Sequence, residues 1–417
     1  MNAAEYILAH RSDNVQQLAL QLHGRPAEEA RHILQQIEGW QRLSTKVPTW
    51  AATEGLLYPV RLSLEQCSSE QTAQYKAAVA GQGQLLVDLT GGLGVDFSFM
   101  APQFQRATYV ERNAELCQLA RHNFPLLHLP HATIVEGTAE DYLASTPAEG
   151  LREGTVLFLD PFRRDDNGRK TVRIEDCPPN VVDLLPQIFR HAGRAIVKFS
   201  PMLDITQALR TLSQALPQIR LAVHIVGTRG EAKEVLIDMQ TGSSATPQSL
   251  DETRIECHDD HTHFSYTLRE EQEALAPLSS SSSVTHADVS ADAYLMEPSP
   301  VLMKAGCFRL LGVRFRLQAL HPNSHLYTSA ADCPEFPGRR FRIVRTTTFG
   351  KRELRQFMAE APRNASGQPC ANLTVRNFPH TVADLRRRLH LSDGGQEYWF
   401  ATTLSDGSHR LIACQKL

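Results

Sequence analysis

The stretch DLTGGLGVD, from Asp88 to Asp96, is where this chain most plainly could do chemistry. Asp88 ends an apolar run, LLVDL, and Gly91, Gly92 and Gly94 follow it. Glycines let a backbone approach a ligand that a side chain would hold off. An acid placed before them can receive an ammonium group, directly or through water. A dinucleotide site would rather offer bare N–H groups to a pyrophosphate. Glu111 ends the next apolar run, ATYVE, at a spacing suited to two ribose hydroxyls. An ammonium and a ribose together describe S-adenosylmethionine, with a nicotinamide dinucleotide as the runner-up. The expected cofactor set is Asp88, Thr90, Gly91, Gly92, Gly94, Asp96, Glu111, Arg112 and Thr138.

A second group follows the run TVLFLD, which ends at Asp160 and continues Pro161, Phe162, Arg163, Arg164. In open α/β sheets ligands lie beyond the carboxyl ends of the strands. Asp160 is therefore expected to face the acceptor of a methyl group. Methyl transfer is a direct displacement at carbon, so the protein must hold the acceptor lone pair in line and exclude water. Asp160 can hydrogen-bond or deprotonate an amine, and the Pro161 carbonyl can accept from it. Phe162 can stack on a base, and Arg163 and Arg164 can neutralise phosphate. Asp160, Pro161, Phe162 and Arg163 are the expected reacting residues. KFSPMLD ends the next run beside the same crevice, with Ser200 and Pro201 as wall residues and Lys198 as a solvated or structural lysine.

These residues need a scaffold, and its signals are regular. Residues 1–80 have helical spacing, as in VQQLALQLHG, PAEEARHILQQIEGWQRL and SSEQTAQYKAAV, the last capped by Ser68 or Ser69. From Gly83 onward, apolar runs alternate with amphipathic stretches such as NAELCQLARHNF and VVDLLPQIFRH. That alternation predicts an α/β, Rossmann-like, doubly wound parallel sheet. The runs around Leu221 and Val235 are too close for a crossover helix and should pair as an antiparallel hairpin. APLSSSSSVTHADVS reads as a linker or surface loop. Beyond it LMKAGCFRLLGVRF (helix), HPNS (turn), RRFRIV (strand), KRELRQFM (helix), ANLTVRNF (strand), TVADLRRRLH (helix), EYWFATTL and HRLIACQK (strands) make an α+β pattern.

Charge is uneven along the chain. The net charge is −3, but residues 231–300 carry 14 acidic and 3 basic residues, a balance of −11. Residues 338–417 carry 14 basic and 6 acidic residues, a balance of +8. A basic end on an acidic enzyme is one way to hold a polyanion. Arg376, Arg387 and Arg388, near Asn377 and Phe378, are its expected RNA contacts. Val382, Leu385 and Leu389 mark an apolar helix face that leaves Arg387 and Arg388 outward. The 8 cysteines form no C-x-x-C pair, so no metal is expected. Neither a membrane span nor a secretory signal is evident, so the expected compartment is the cytoplasm.

DLTGGLGVD, YVERNAELCQLARHNF, DPFRRDDNGRKTVRIEDCPPNVVDLL and KFSPMLDI resemble a bacterial family of class I methyltransferases with a THUMP-like C-terminal domain, best represented in the Bacteroidetes. The similarity extends to PTWAATEGLLYPVRLSLEQCSSEQTAQYKA upstream and to EPSPVLMKAGCFRLL, LHPNSHLYTS, FPGRRFRIV, NLTVRNFP and FATTLSDGS downstream. It implies four parts: a helical region (1–80), a methyltransferase core (81–245), a ferredoxin-like region (246–335) and a THUMP-like domain (336–417). It implies RNA, tRNA or rRNA, as substrate. Two departures stand out. Phe162 replaces the family's alanine or proline after Asp-Pro, and Thr138 replaces an acid that bonds adenine; Thr138, Glu140 and Asp141 all remain candidates. Amine methylation uses an Asp or Asn, prolines and an aromatic, which Asp160, Pro161 and Phe162 approximate. Pyrimidine C5 methylation needs a cysteine thiolate, and KFSPMLD has none. A base nitrogen is therefore the expected acceptor. The alternatives are a small-molecule or protein methyltransferase whose C-terminal module serves assembly, and a non-catalytic RNA-binding protein that holds the cofactor.

Overall fold

The computed structural model describes residues 2–147, 153–162, 173–241, 248–274 and 289–417. They form two compact units, Met1–Thr228 with Lys233–Thr253, and Arg229–Ala232 with Arg254–Leu417. Arg163, Arg164 and most of the Ser-rich stretch lie outside the described residues.

In the first unit six helices precede the sheet: Ala3–His10, Val15–Gln21, Ala27–Lys46, Pro48–Ala52, Arg61–Gln66 and Glu70–Ala80. Ala27–Lys46 buries Ile33, Ile37 and Leu43 along one side, the spacing of a helical stripe. Gln36 on the same helix is buried because its amide exchanges two hydrogen bonds with the Tyr58 backbone, at 3.0 and 2.8 Å. Ser69 caps Glu70–Ala80 by accepting from the Thr72 N–H.

Seven strands follow: β1 Gly83–Asp88, β2 Phe104–Glu111, β3 Ala132–Glu136, β4 Thr155–Leu159, β5 Arg194–Phe199, β6 Ile219–Thr228 and β7 Glu231–Thr241. Their order is β3-β2-β1-β4-β5-β7-β6. The first five pair in parallel, and β7 runs antiparallel to β5. Arg229 and Gly230, both at positive φ, are all that separates β6 from β7, so these neighbours form the expected hairpin. All five residues of β4 are buried, as a central strand covered on both faces requires. The carboxyl ends of β1, β2, β4 and β5 thereby come together along one edge, with β1 and β4 as the neighbours at the switch point.

The second unit opens with an antiparallel pair, β8 Arg254–His258 and β9 His263–Thr267. Seven more strands follow: β10 Tyr294–Pro298, β11 Gln318–Ala319, β12 Tyr327–Ser329, β13 Gly338–Thr347, β14 Asn372–Arg376, β15 Glu397–Thr403 and β16 His409–Lys416. They form one sheet in the order β11-β12-β10-β13-β16-β15-β14. The single helix expected over LMKAGCFRLLGVRF is two, Pro300–Ala305 and Phe308–Arg314. Gly306 between them is left-handed (φ 77°) and caps the first, which ends it. Helix Val382–Leu389 buries Leu385 and Leu389 and is started by a capping box between Thr381 and Asp384.

Candidate active site

The glycine turn is shaped by its neighbours. A Cβ on Gly91 would lie 2.2 Å from the Tyr109 ring, which is itself fully buried. Gly92 (φ 55°) and Gly94 (φ 87°) hold left-handed backbone that side chains disfavour. Beside Gly92 there is open space: a Cβ there would meet only the Thr90 carbonyl oxygen, at 3.8 Å. Side-chain hydrogen bonds help fix the turn. The Tyr109 hydroxyl donates to the Gly92 carbonyl. The Gly92 N–H donates to Glu111 Oε2 at 2.8 Å, and the Asp160 N–H donates to Thr90 Oγ1 at 2.6 Å. Thr90 thus ties the glycine turn to the end of β4.

Asp88 is 1 % exposed and accepts from the Thr90 N–H at 3.0 Å. Burial pushes its carboxyl well above the usual carboxylate range; the Thr90 N–H opposes this, and Asp96, Asp160 and Glu111 reinforce it. A carboxylate so placed gains most from a cation arriving next to it. Glu111 is buried and also accepts from the Asn113 N–H, at 2.8 Å through Oε1. Its oxygens keep lone pairs for a diol, since a carboxylate has about four acceptor sites. Arg112 is exposed, and its guanidinium lies 4.7 Å from the centre of the Phe162 ring. Thr138 caps helix Ala139–Ser145, accepting from the Asp141 N–H and donating to the Asp141 carboxylate. These bonds engage its hydroxyl, leaving Glu140 exposed beside it.

Asp160 follows β4, with its side chain 32 % exposed. Pro161 is buried, Phe162 is 45 % exposed, and the Phe162 N–H donates to the Pro178 carbonyl at 2.7 Å. Ser200 and Pro201 follow β5 half-buried, with the Ser200 hydroxyl accepting from the Met202 N–H at 3.3 Å. Cys177 is buried, and its thiol donates to the Arg173 carbonyl.

Behind Asp160 lies a buried charge cluster. Lys198, 3 % exposed, pairs with Asp160, with Ser68 Oγ at 3.3 Å and with Asp96 Oδ2 at 3.6 Å. Lys76 is completely buried and donates to both Glu234 oxygens, at 2.6 and 2.7 Å. It also reaches Asp96 Oδ1 and Ser68 Oγ, each at 3.1 Å. Burial works against the Lys198 ammonium, but Asp160, Asp96 and Glu234 outweigh it and push its pKa up. Burial likewise opposes an ionised Asp96, but Lys76, Lys198 and the Ser68 hydroxyl hold its pKa below the usual range. Lys198 is therefore buried and ion-paired, which fits the structural reading of it and not the solvated one. Glu234 was not among the expected residues. Its only sequence signal is a charge opening an apolar run, EVLIDM, a pattern shared by many solvated residues.

In the second unit the expected RNA arginines separate. Arg387 has a 79 % exposed side chain, and Arg388 is also exposed. Arg376 instead pairs with the buried Glu297 at 2.9 Å, an acid that Arg339 shares. Asn377 is bound to His321 at 3.0 Å.

A parallel sheet of β1 to β5 that ends in an antiparallel hairpin with β7 reversed, a glycine turn after β1, and acids ending β1 and β2 and following β4 define the class I methyltransferase fold. Comparison with known proteins agrees. Residues 294–337 match a ferredoxin-like domain and residues 338–416 a THUMP-like domain. A candidate methyltransferase from Porphyromonas gingivalis W83 is 31 % identical, with a TM-score of 0.82 over 99 % of this chain and 97 % of that one. The chain therefore belongs to the family of class I methyltransferases that carry ferredoxin-like and THUMP-like C-terminal domains. An rRNA methylase from Streptococcus thermophilus (12 % identity, 41 % of this chain, 95 % of that one, TM-score 0.31) is more distant. So is a candidate methyltransferase from Streptococcus mutans in complex with SAH (12 % identity, 42 % of this chain, 97 % of that one, TM-score 0.32). Among curated proteins no match was found. Among the described residues, no helix is long and apolar enough to cross a membrane.

Proposed function

We propose that this protein transfers a methyl group from S-adenosylmethionine to RNA. The observation that carries the reading is the pairing of two acids at adjacent strand ends. Asp88 lies buried beside the open glycine turn, and Asp160 stands partly exposed next to it, tied to that turn through Thr90. Asp88 would hold the ammonium of the cofactor's amino-acid part, and Glu111 would hold the ribose diol. The turn Thr90–Gly94 would follow the backbone of that part, with Asp96 and Arg112 at its margins. The cofactor supplies an activated methyl group. The chain's own residues then fix the acceptor and keep water out.

RNA is supported by the THUMP-like domain and by the balance of +8 over residues 338–417, with Arg387 and Arg388 free of burial. tRNA and rRNA are the substrates to test first. Arg163 and Arg164 follow the reacting residues directly in the chain and would meet the RNA backbone. Asp160, Pro161 and Phe162 taken alone suit a base nitrogen: a carboxylate and a carbonyl accept its two N–H groups, and a ring stacks on the base. The test is transfer of labelled methyl from the cofactor to bacterial tRNA and rRNA lacking modification. Label in RNA supports the reading; label confined to protein or small molecules refutes it.

A further inference from the structure

The sequence offered Lys198 as a solvated or structural lysine, and the structure places it against the one acid expected to meet the acceptor. Placing a lysine and its partners in a water-poor interior costs several kcal/mol per ion before they attract one another. Here two lysines and three carboxylates share that interior: Lys76, Lys198, Asp96, Asp160 and Glu234, joined through Ser68. They come from four separate elements, helix Glu70–Ala80, the helix Val95–Met100 after the glycine turn, β5 and β7, and from the end of β4. Only Asp160 is substantially open, at 32 % against 0–11 % for the other four charged residues. A cluster that serves packing alone has no need to converge on the reacting acid.

We propose that the acceptor is a hydroxyl oxygen, the ribose 2′-hydroxyl of RNA, with Asp160 taking its proton and Lys198 acting on its oxygen. This rests on the reading of the same site as an RNA methyltransferase. Donors and acceptors distinguish a hydroxyl from an amine at this position. A hydroxyl has one hydrogen to give and two lone pairs; an exocyclic amine gives two hydrogens, and its lone pair is drawn into the base. An amine therefore asks for two acceptors and has nothing to offer an ammonium. A hydroxyl asks for one acceptor, Asp160, and can use a cation. Lys198 has three N–H donors, and among the described residues it spends one on Asp160 and one, at 3.3 Å, on Ser68. Asp96 at 3.6 Å is too far for a good hydrogen bond with the third.

Charge development points the same way. In the transfer to oxygen the O–H bond breaks, the O–C bond forms, and the C–S bond breaks with its electron pair left on sulfur. The proton passes to the Asp160 carboxylate and from there to solvent. As the proton leaves, negative charge grows on oxygen, and a fixed ammonium stabilises it. A neutral amine instead becomes positive as it is methylated, and an ammonium beside it raises the barrier. Lys76 supports the arrangement from behind by neutralising Glu234 and part of Asp96, which leaves Lys198 for Asp160.

The experiment is chemical mapping of the product. The full-length protein is given unmodified tRNA and rRNA transcripts and cofactor labelled in the methyl group, and the RNA is then hydrolysed in alkali. Alkali cleaves through the 2′-hydroxyl, so a methylated ribose leaves the label in resistant dinucleotides, the expected result. Label in mononucleotides, from a methylated base, overturns the proposal and leaves RNA methylation standing. No label in RNA overturns RNA methylation itself, and this inference with it. Lys198→Met should then lower transfer by about 100-fold or more while calorimetric affinity for the cofactor stays within about threefold, and Lys198→Arg should recover part of the loss. Transfer by a folded Lys198→Met protein at the wild-type rate would show that the ammonium does no chemistry.

Discussion

Replacing Asp88 by Asn should stabilise the apoprotein and weaken the cofactor, two effects of opposite sign from one change. Asp88 is 1 % exposed, and burial holds its carboxyl well above the usual carboxylate range. A raised carboxyl binds a proton in the folded protein at pH values where the unfolded chain has already lost it. Ionising it therefore takes stability away as the pH rises through the raised value. Asn keeps the shape, still accepts from the Thr90 N–H, and is neutral at every pH. Its advantage in stability should appear above the raised pKa and shrink below it. Cofactor affinity should move the other way. A hydrogen bond to a charged group contributes about 1.5–3 kcal/mol, so losing it weakens binding about 10- to 150-fold. Thermal unfolding across pH gives the first quantity, and calorimetry with S-adenosylmethionine gives the second. Repeating the calorimetry in buffers of different ionisation enthalpy gives a third readout. Below the raised pKa an ammonium arriving at Asp88 should drive off protons as it binds in the wild type, above it this release should vanish, and in the Asp88→Asn variant it should be absent at every pH. Unchanged affinity in a folded Asp88→Asn protein would refute the assignment of Asp88 to the ammonium.

Other expectations are simpler. Gly91→Ala puts a Cβ 2.2 Å from a buried ring and should destabilise the fold by about 1–3 kcal/mol. Gly137→Ala, with nothing within 4 Å of its Cβ, should shift stability by only about 0.5 kcal/mol, and equal melting temperatures for the two would contradict the packing described. Asp160→Ala should bind cofactor normally and, in protein shown to be folded, lose about 10²–10⁴ in transfer rate; a fully active variant refutes its role. Lys76→Met strands the buried Glu234 and should cost about 3–5 kcal/mol in denaturant unfolding. Replacing both Arg387 and Arg388 by Ala should flatten the salt dependence of RNA binding by roughly one to two units of slope without lowering stability. Arg376→Ala should do the reverse, because Arg376 neutralises Glu297 inside the fold.

Much of the fold was readable because local patterns decide it. Each apolar run from LLVDL to VLIDM became a strand, and the two-residue connection at Arg229 and Gly230 left β6 and β7 only the hairpin. One exception, LMKAGCFRLLGVRF, shows the limit. Its periodicity continues through Gly306, while the backbone there turns left-handed and ends the helix. The short β11 and β12 had no signal, since two or three residues are too few to show a period.

The glycine turn and the acids before and after it were legible in the chain alone. Each acts within a few residues of its neighbours, where spacing and side-chain type are enough. What those acids meet depends on the folded arrangement. Lys76 and Glu234 lie 158 residues apart, with Asp160 and Lys198 between them, and no periodicity links the four. They converge because the carboxyl ends of parallel β4 and β5 and the amino end of antiparallel β7 lie at one edge, and helix Glu70–Ala80 packs over it. Burial then makes their charges matter, since water no longer screens them. The same holds for Arg376 and Glu297, 79 residues apart, which read as a free arginine and an unremarked acid until the sheet brought them together.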